Sequence, residues 1–466
     1  MQKNDDLGRN GSTRRAFLSA SAVTAVAAPL LTGTALAGTS PALTQQEPDK
    51  GLRDLVRHVD ADRIQATVLR LTQFGTRHTA SSQTDPARGI GAATAWVFQQ
   101  MQAIAATSSG RMTVQQQTFV QPVSNRIPVP TTITNVIATL KGNASPERFY
   151  VVTGHLDSRV TNVLDFTSDA PGADDDASGV AVVLELARLF ATVAGEEQGL
   201  YGSTFMAAQF KAAGADVQAM FSNDIVGASQ AWDGTRPDPH TVRLFVEGIP
   251  TAATANQISV MQLIGGENDG ASRQIGRFVR EVAPRELTDM NVRVVWRRDR
   301  YLRASDHVSF QGQGYPAARF TEPRENFNHE HQNTQVVNGV QLGDLIQFVD
   351  SSYIARVAKV NAAALWSLAT APGTPKNMLI HATAPVNFSG TNFTTLSWDA
   401  NPESDLAGYQ VVTRETTSPD WTGAIDVGNV TTVTLDMSKD NVQFGLRAVD
   451  QAGHRSPVAF PRVVST

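Results

Sequence analysis

Arg148-Phe149-Tyr150-Val151-Val152-Thr153 runs straight into Gly154-His155-Leu156-Asp157-Ser158. Farther on, Gly172-Ala173-Asp174-Asp175-Asp176-Ala177-Ser178-Gly179 opens an apolar run, GVAVVLELARLF, over residues 179–190. The first stretch is β-branched and aromatic, which predicts a strand. The second is apolar nearly all round, which predicts a helix buried against a sheet. Working outward, Ile64, Val68 and Leu71 recur at helical spacing, as do Ile90, Val97, Met101 and Ile104. Strand-like runs occupy 112–119 and 132–140, and a last helix is expected over 351–369. Such alternation over about residues 51–370 predicts an α/β sandwich with a mixed, mostly parallel central sheet.

At 371–375 the sequence APGTP breaks the last helix, and the apolar period changes from 3.6 to 2. Leu396/Trp398, Tyr409/Val411 and Val442/Phe444/Leu446 alternate with polar residues, so 371–466 is expected to be a separate all-β sandwich. TLSWDANPESDLAGYQVV followed by FGLRAVDQAGHRS resembles a fibronectin type III module. Residues 1–37 read as an export signal. Arg14-Arg15-Ala16-Phe17-Leu18 precedes a weakly apolar stretch ending in the small-x-small site Ala35-Leu36-Ala37, which matches twin-arginine export to a periplasmic or extracellular location. Pro29, Thr32 and Gly33 interrupt the stretch, which argues against a membrane anchor, and no membrane span is expected once the signal is removed. Residues 38–50 read as a short polar tether.

With 44 acidic and 39 basic residues the formal charge is −5, which argues against nucleic acid as a partner. There is no cysteine. Disulfide frameworks, thiolate metal sites and cysteine nucleophiles are therefore excluded, and any metal must be held by histidine and carboxylate.

Residues suited to such a site recur along the chain. His155 is expected at the C-terminal end of a strand, where open α/β sheets bind ligands, with Asp157 placed to orient it. A lone strand-end histidine is more often structural. Of the three aspartates at 174–176, one would serve as a helix cap, but three adjacent carboxylates repel one another unless a cation offsets them. Glu196-Glu197 stand between glycines at the exit of the strand-like run LFATVA, which suits one ligand plus one general base. Asp224 follows another strand-like run, where a turn aspartate is equally ordinary. His307, His329 and His331 cluster late in the chain and raise the odds of one more ligand.

GHLDS, GADDDASG, GEEQGLYGS and NDIVG, in this order, resemble the secreted bacterial co-catalytic zinc aminopeptidases, whose superfamily includes glutamate carboxypeptidase and glutaminyl cyclase. The resemblance extends to FGTRHT at 75–80 and SDHVSFQGQGYPAARF at 305–320. It implies a zinc-exopeptidase fold with two zinc ions per chain. His155 and Asp224 would hold one, Glu197 and a late histidine the other, Asp175 would bridge them, and Glu196 would be the general base. Two zinc ions against three carboxylates and a bridging hydroxide leave the cluster about neutral. The spacing to the following helix and the polar Gln332-Asn333-Thr334 favour His331 over His329.

Two features depart from that pattern. Relatives often carry a tyrosine just before the late histidine, where Glu330 or Asn328 stands here. Relatives also interpose a loop and strand before the glutamate pair, whereas only five residues separate Phe190 from Glu196. The helix is therefore expected to end early, near Glu185 or Ala187, with 188–195 as a return strand. The resulting expectation is an exported monomeric aminopeptidase acting on peptides, with a C-terminal module able to contact cell wall or polymer. The rival readings are a carboxypeptidase or glutaminyl cyclase of the same superfamily, or a non-catalytic surface protein with a degenerate peptidase domain.

Overall fold

A long hairpin of β1 (Met112–Gln121) and β2 (Thr131–Leu140) precedes the central sheet, which is built from β3 (Arg148–Thr153), β4 (Asp216–Asn223), β5 (Thr241–Val246), β6 (Asn291–Val295) and β7 (Ala317–Thr321). The sheet order is β3-β4-β7-β5-β6. All neighbours are parallel except β5 and β7, so the sheet is mixed and mostly parallel. The computed structural model describes residues 41–187, 194–230, 233, 235–381 and 393–464, and Gly38–Thr466 forms one unit. The export signal expected over 1–37 lies outside the described residues.

The helices are, in chain order, α1 (Lys50–Val56), α2 (Ala61–Thr72), α3 (Ile90–Ala106), α4 (Ala177–Ala187), α5 (Tyr201–Ala212), α6 (Ala255–Leu263), α7 (Ala271–Val282), α8 (Arg285–Thr288), α9 (His307–Gly312) and α10 (Ser351–Thr370). Val68 of α2, Val182 of α4 and Val357 of α10 share one core with Val152 and Phe221 of the sheet. Met206 of α5 and Phe310 of α9 pack on the other face, against Val151 and Met220. This is the expected three-layer sandwich. Each fully buried aliphatic side chain contributes about 1.5–3 kcal/mol, so the two cores account for its cohesion. None of the described helices is long and apolar enough to cross a membrane.

Every residue of α4 is buried, as its all-round apolarity predicts. Its one acid, Glu185, is paired with Arg63 of α2 at 2.5 Å. Two glycines bring the start of α4 against the end of β3. A Cβ on Gly154 would stand 2.4 Å from the Gly179 backbone, and one on Gly179 would stand 2.2 Å from the Asn223 carbonyl oxygen. The close approach places the aspartate triple beside His155. The return strand expected over 188–195 falls mainly outside the described residues; Ala194 and Gly195, which are described, are not in a strand.

After a small hairpin of β8 (Gln335–Val337) and β9 (Val340–Leu342), the C-terminal segment forms two sheets from β10 (Leu379–His381), β11 (Thr394–Ser397), β12 (Leu406–Glu415), β13 (Gly423–Gly428), β14 (Thr432–Leu435), β15 (Val442–Asp450) and β16 (Arg462–Val464). One is β14-β11-β10-β16 and the other β13-β12-β15. They enclose their own core, with Trp398 edge-on to Tyr409 at 5.3 Å. A separate β core is present, but it is docked through buried charge. Asp269, just before α7, accepts Arg277 at 3.0 Å and Arg414 of β12 at 2.5 Å. Trp421 donates to Gln274 at 2.9 Å, and Arg447 of β15 meets Glu281 of α7 at 2.9 Å. The polar stretch expected as a tether is, from Pro41 onward, a strap. Leu43 N donates to Thr422 O, Ala424 N donates to Pro41 O, and Asp49 accepts from Trp366 of α10 at 2.8 Å. Polarity alone does not distinguish a free linker from one whose backbone pairs with a strand edge.

Candidate metal centre

His155 leaves the end of β3 fully buried. Its Nδ1 lies 3.1 Å from the Asp157 carbonyl oxygen. In the neutral ring Nδ1 donates there and Nε2 is bare, and Nε2 points at Asp175 Oδ1 (3.0 Å) and Asp224 Oδ1 (3.9 Å). On the other side of Asp175, His331 Nε2 lies 2.8 Å from Asp175 Oδ2 and 3.0 Å from Glu197 Oε1. The result is two triads, His155–Asp175–Asp224 and Asp175–Glu197–His331, sharing one carboxylate.

The donors fit a metal pair. Asp175 Oδ1, facing His155, and Glu197 Oε1, facing His331, are buried with no hydrogen-bond donor assigned to them among the described residues. A bare imidazole nitrogen against a carboxylate oxygen sets lone pair against lone pair, which a cation resolves. Burial alone would lower both imidazoles and raise Asp175. Instead the surrounding carboxylates push His155 well up and His331 up to about 10, while the imidazoles hold Asp175 well below the usual carboxylate range. The site pulls on positive charge, whether proton or metal. His331 also holds a left-handed backbone, φ 52°, uncommon for a residue with a Cβ and frequent at functional sites.

The three aspartates have three separate partners. Asp176 caps α4, accepting Gly179 N at 2.9 Å, and its other oxygen takes His155 N at 2.8 Å. Asp174 turns away and accepts Gly227 N at 2.6 Å. Asp175 faces the two histidines, with its own N–H donated to Asp344 at 2.8 Å.

Asp157 meets His155 Nδ1 twice, with its backbone carbonyl oxygen at 3.1 Å and its carboxylate at 3.6 Å. Asp157 Oδ1 accepts Gly195 N (2.8 Å) and Glu196 N (3.0 Å), and Oδ2 accepts Glu197 N (3.0 Å) and Thr79 Oγ (3.0 Å). A second clamp comes from buried Asn135 on β2, which accepts Ala194 N at 3.0 Å and donates to Gly202 O at 2.9 Å. Side chains thus fix the segment that presents Glu196 and Glu197. Asp157→Asn sets an amide group against at least one of these N–H donors. It is expected to lower kcat by about 10–100-fold and to loosen metal on the Glu197 side. Unchanged kcat and metal content would show that the clamp is dispensable.

Of the other residues singled out, His307 donates to or accepts from nothing in this centre; its Nε2 lies 2.8 Å from Arg298 O. His329 is stacked flat on Phe348, with ring centroids 3.4 Å apart. Within FGTRHT, buried Arg77 bonds Leu156 O (2.7 Å) and Gly172 O (2.9 Å), tying the His155 loop to the aspartate loop. Sequence reasoning misses Asp344, Asn135, Arg159 and Arg319. Arg319 is fully buried and braces Asp224 at 2.9 Å. Arg159 donates Nε to Glu197 Oε2 at 2.7 Å. Only Arg159 carries a signal, as a cation immediately following H-x-D-S.

A model of peptidase family M28 matches residues 135–350. A probable zinc metalloprotease of Leptosphaeria maculans is 47% identical over 430 residues, covering 90% of this chain and 98% of the relative. One from Pyricularia oryzae is 48% identical over 436 residues, covering 90% and 86%. These relatives are fungal, whereas the motifs alone suggest secreted bacterial enzymes. Among solved structures, the LapA aminopeptidase of Legionella pneumophila overlays with a TM-score of 0.46 at 18% identity, covering 70% of this chain and 78% of that one. With nearly half its residues shared across almost the whole length of a relative, the chain belongs to peptidase family M28.

Proposed function

We propose that the chain is a two-zinc aminopeptidase that removes N-terminal residues from peptides. The observation carrying this reading is the pair of triads sharing Asp175, with a buried carboxylate oxygen facing each histidine and no hydrogen-bond donor assigned to it among the described residues. Zinc is the metal in the names of the fungal relatives, and histidine with carboxylate is a donor set that suits it. When bound, such ions supply Lewis-acid polarisation of the scissile carbonyl and of the attacking water.

The chain's own residues then have defined tasks. Glu196 belongs to neither triad, is half-buried within the field of His155, Asp224 and Glu197, and has its backbone pinned by Asp157. Its carboxylate takes the water proton and passes it to the leaving amine. Arg319 and Arg159 brace the two outer carboxylates, Asp224 and Glu197, and Asp176 holds the start of α4 against His155. The complete second triad favours a two-metal hydrolase over a cyclase or a degenerate surface protein.

The protein is expected to contain about two zinc ions per chain by elemental analysis. Stripping them with a chelator should abolish hydrolysis of aminoacyl substrates, with recovery on adding zinc. Full hydrolysis at one zinc per chain would refute the paired site, and one zinc per chain without hydrolysis would favour the cyclase reading. Supported by the paired arginines and the Ala-x-Ala site, export by the twin-arginine route belongs to the same proposal, tested by cell fractionation. The C-terminal sandwich is read as a fibronectin type III-like module that contacts cell wall or polymer.

A further inference from the structure

The chain between His331 and Asp344 contributes no side chain to the metal centre, yet both of its ends do. His331 completes the triad with Asp175 and Glu197, and Asp344 accepts Asp174 N at 2.7 Å and Asp175 N at 2.8 Å. Between these two anchors the hairpin β8–β9 projects. Residues 333–340 are all exposed, with Val336 at 65%, Val337 at 40% and Val340 at 48%. Asn338 and Gly339 at the tip both have positive φ, 50° and 78°, as a two-residue hairpin turn requires. At the base, Gly343 N donates to Asn328 O at 3.0 Å, which ties the hairpin to the loop before His331. Val337 pairs with Val340 beside the turn, so Val336 stands at the next, non-hydrogen-bonded position, with its N–H and C=O directed outward. Among the described residues β8 has no strand partner but β9. A lone two-stranded hairpin is marginal in water, and exposed valines gain only when something covers them.

Resting on the aminopeptidase reading above, we propose that β8–β9 is a substrate-binding arm for the part of the peptide that follows the scissile bond. It takes that part in extended form along the β8 edge and favours apolar side chains there. An aminopeptidase holds the first residue at the metals, so the rest of the peptide must leave by the open side of the centre. His331 keeps 23% of its side-chain exposure, whereas His155, Asp175, Asp224 and Glu197 keep 1%, 5%, 4% and 4%. The centre therefore opens at His331. Only residues 332–334 separate His331 from β8, a reach of at most about 13 Å, which is the length of about four extended residues of substrate. A peptide leaving on this side meets the outward N–H and C=O of Val336, and its side chains meet the valines. Pairing with a strand edge gives affinity whatever the sequence, and the side chains beside it give the preference.

The test uses the full-length zinc-loaded protein. The best cleaved of the leucine, alanine, lysine and glutamate amides is compared with peptides of two to five residues that share its first residue. With valine at the later positions, kcat/KM should rise about tenfold from the amide to the tetrapeptide, the scale of covering one or two apolar side chains. With serine there the rise should be at most about threefold. The triple variant Val336→Thr, Val337→Thr, Val340→Thr keeps the β-branched shape and removes apolar surface. It should lower kcat/KM for the valine tetrapeptide about tenfold more than for the amide, chiefly through KM. A wild type that cleaves the amide with no gain from length or from valine overturns the arm, and that series decides the matter even if the variant fails to fold. An equal loss on both substrates in the variant also overturns it. So does a concentration-dependent dimer that the variant abolishes while the gain with length persists, since the hairpin then serves a second copy of the chain. Cleavage of neither amides nor peptides is a different failure, since it removes the aminopeptidase reading itself.

Discussion

Glu196→Gln is expected to lower kcat on aminoacyl substrates by about 10²–10⁴-fold while zinc content stays at the wild-type level. The amide has nearly the same shape and cannot accept the water proton. The backbone N–H that Asp157 holds at 3.0 Å is unaffected, so the loop should keep its place. The side chain lies outside both triads, so the metals should not feel its loss of charge as the loss of a ligand. Glu197→Gln makes the contrast. Glu197 Oε1 faces His331 and Oε2 accepts Arg159 at 2.7 Å, so neutralising it removes a ligand and strands a guanidinium. That variant should lose metal first and activity as a consequence. Equal loss of metal in the two variants would mean the roles within the pair are wrongly assigned.

The second large effect concerns stability. Asp269→Asn is expected to cost about 3–5 kcal/mol, because it removes the charge shared by two buried guanidiniums. Asp269 is 0% exposed at its side chain, and Arg277 and Arg414 are 6% and 3% exposed. An uncompensated cation at such depth is worse than none, and both rest against the aromatic rings of Trp421 and, for Arg277, Trp296. Denaturant midpoints before and after the substitution measure the cost, and an unchanged midpoint would refute it. The same interface alters the expected outcome of cutting the chain after Thr370. A separate β core with its own turn-rich sequence suggests a module that can be removed without harm. Its deletion would instead expose α7 and release the strap at 41–49 from the sandwich edge, so an insoluble or loosely folded product is expected.

Local patterns made much of this molecule legible. Strands at 112, 132 and 148, the buried α4 and the final α10 follow from side-chain period and apolarity, which act within a few residues of each position. His155, Asp175, Glu197 and Asp224 were likewise visible as candidates, since each lies where a strand or helix end meets glycine.

What chemical type cannot separate, only contact can. Asp174, Asp175 and Asp176 are identical residues in sequence. One is a turn anchor, one faces both histidines and one is a cap, because Gly227, His331 and Gly179 come from three different parts of the fold. His329 and His331 are divided by the ring of Phe348. Asp157 sits beside the histidine in sequence, yet its carboxylate is taken by N–H groups some forty residues on, at Gly195, Glu196 and Glu197. Arg319 and Asp269 look like ordinary surface charges until burial removes water as their partner. From that point each must find an opposite charge, and which one it finds is a property of the packed chain, not of its neighbours along it.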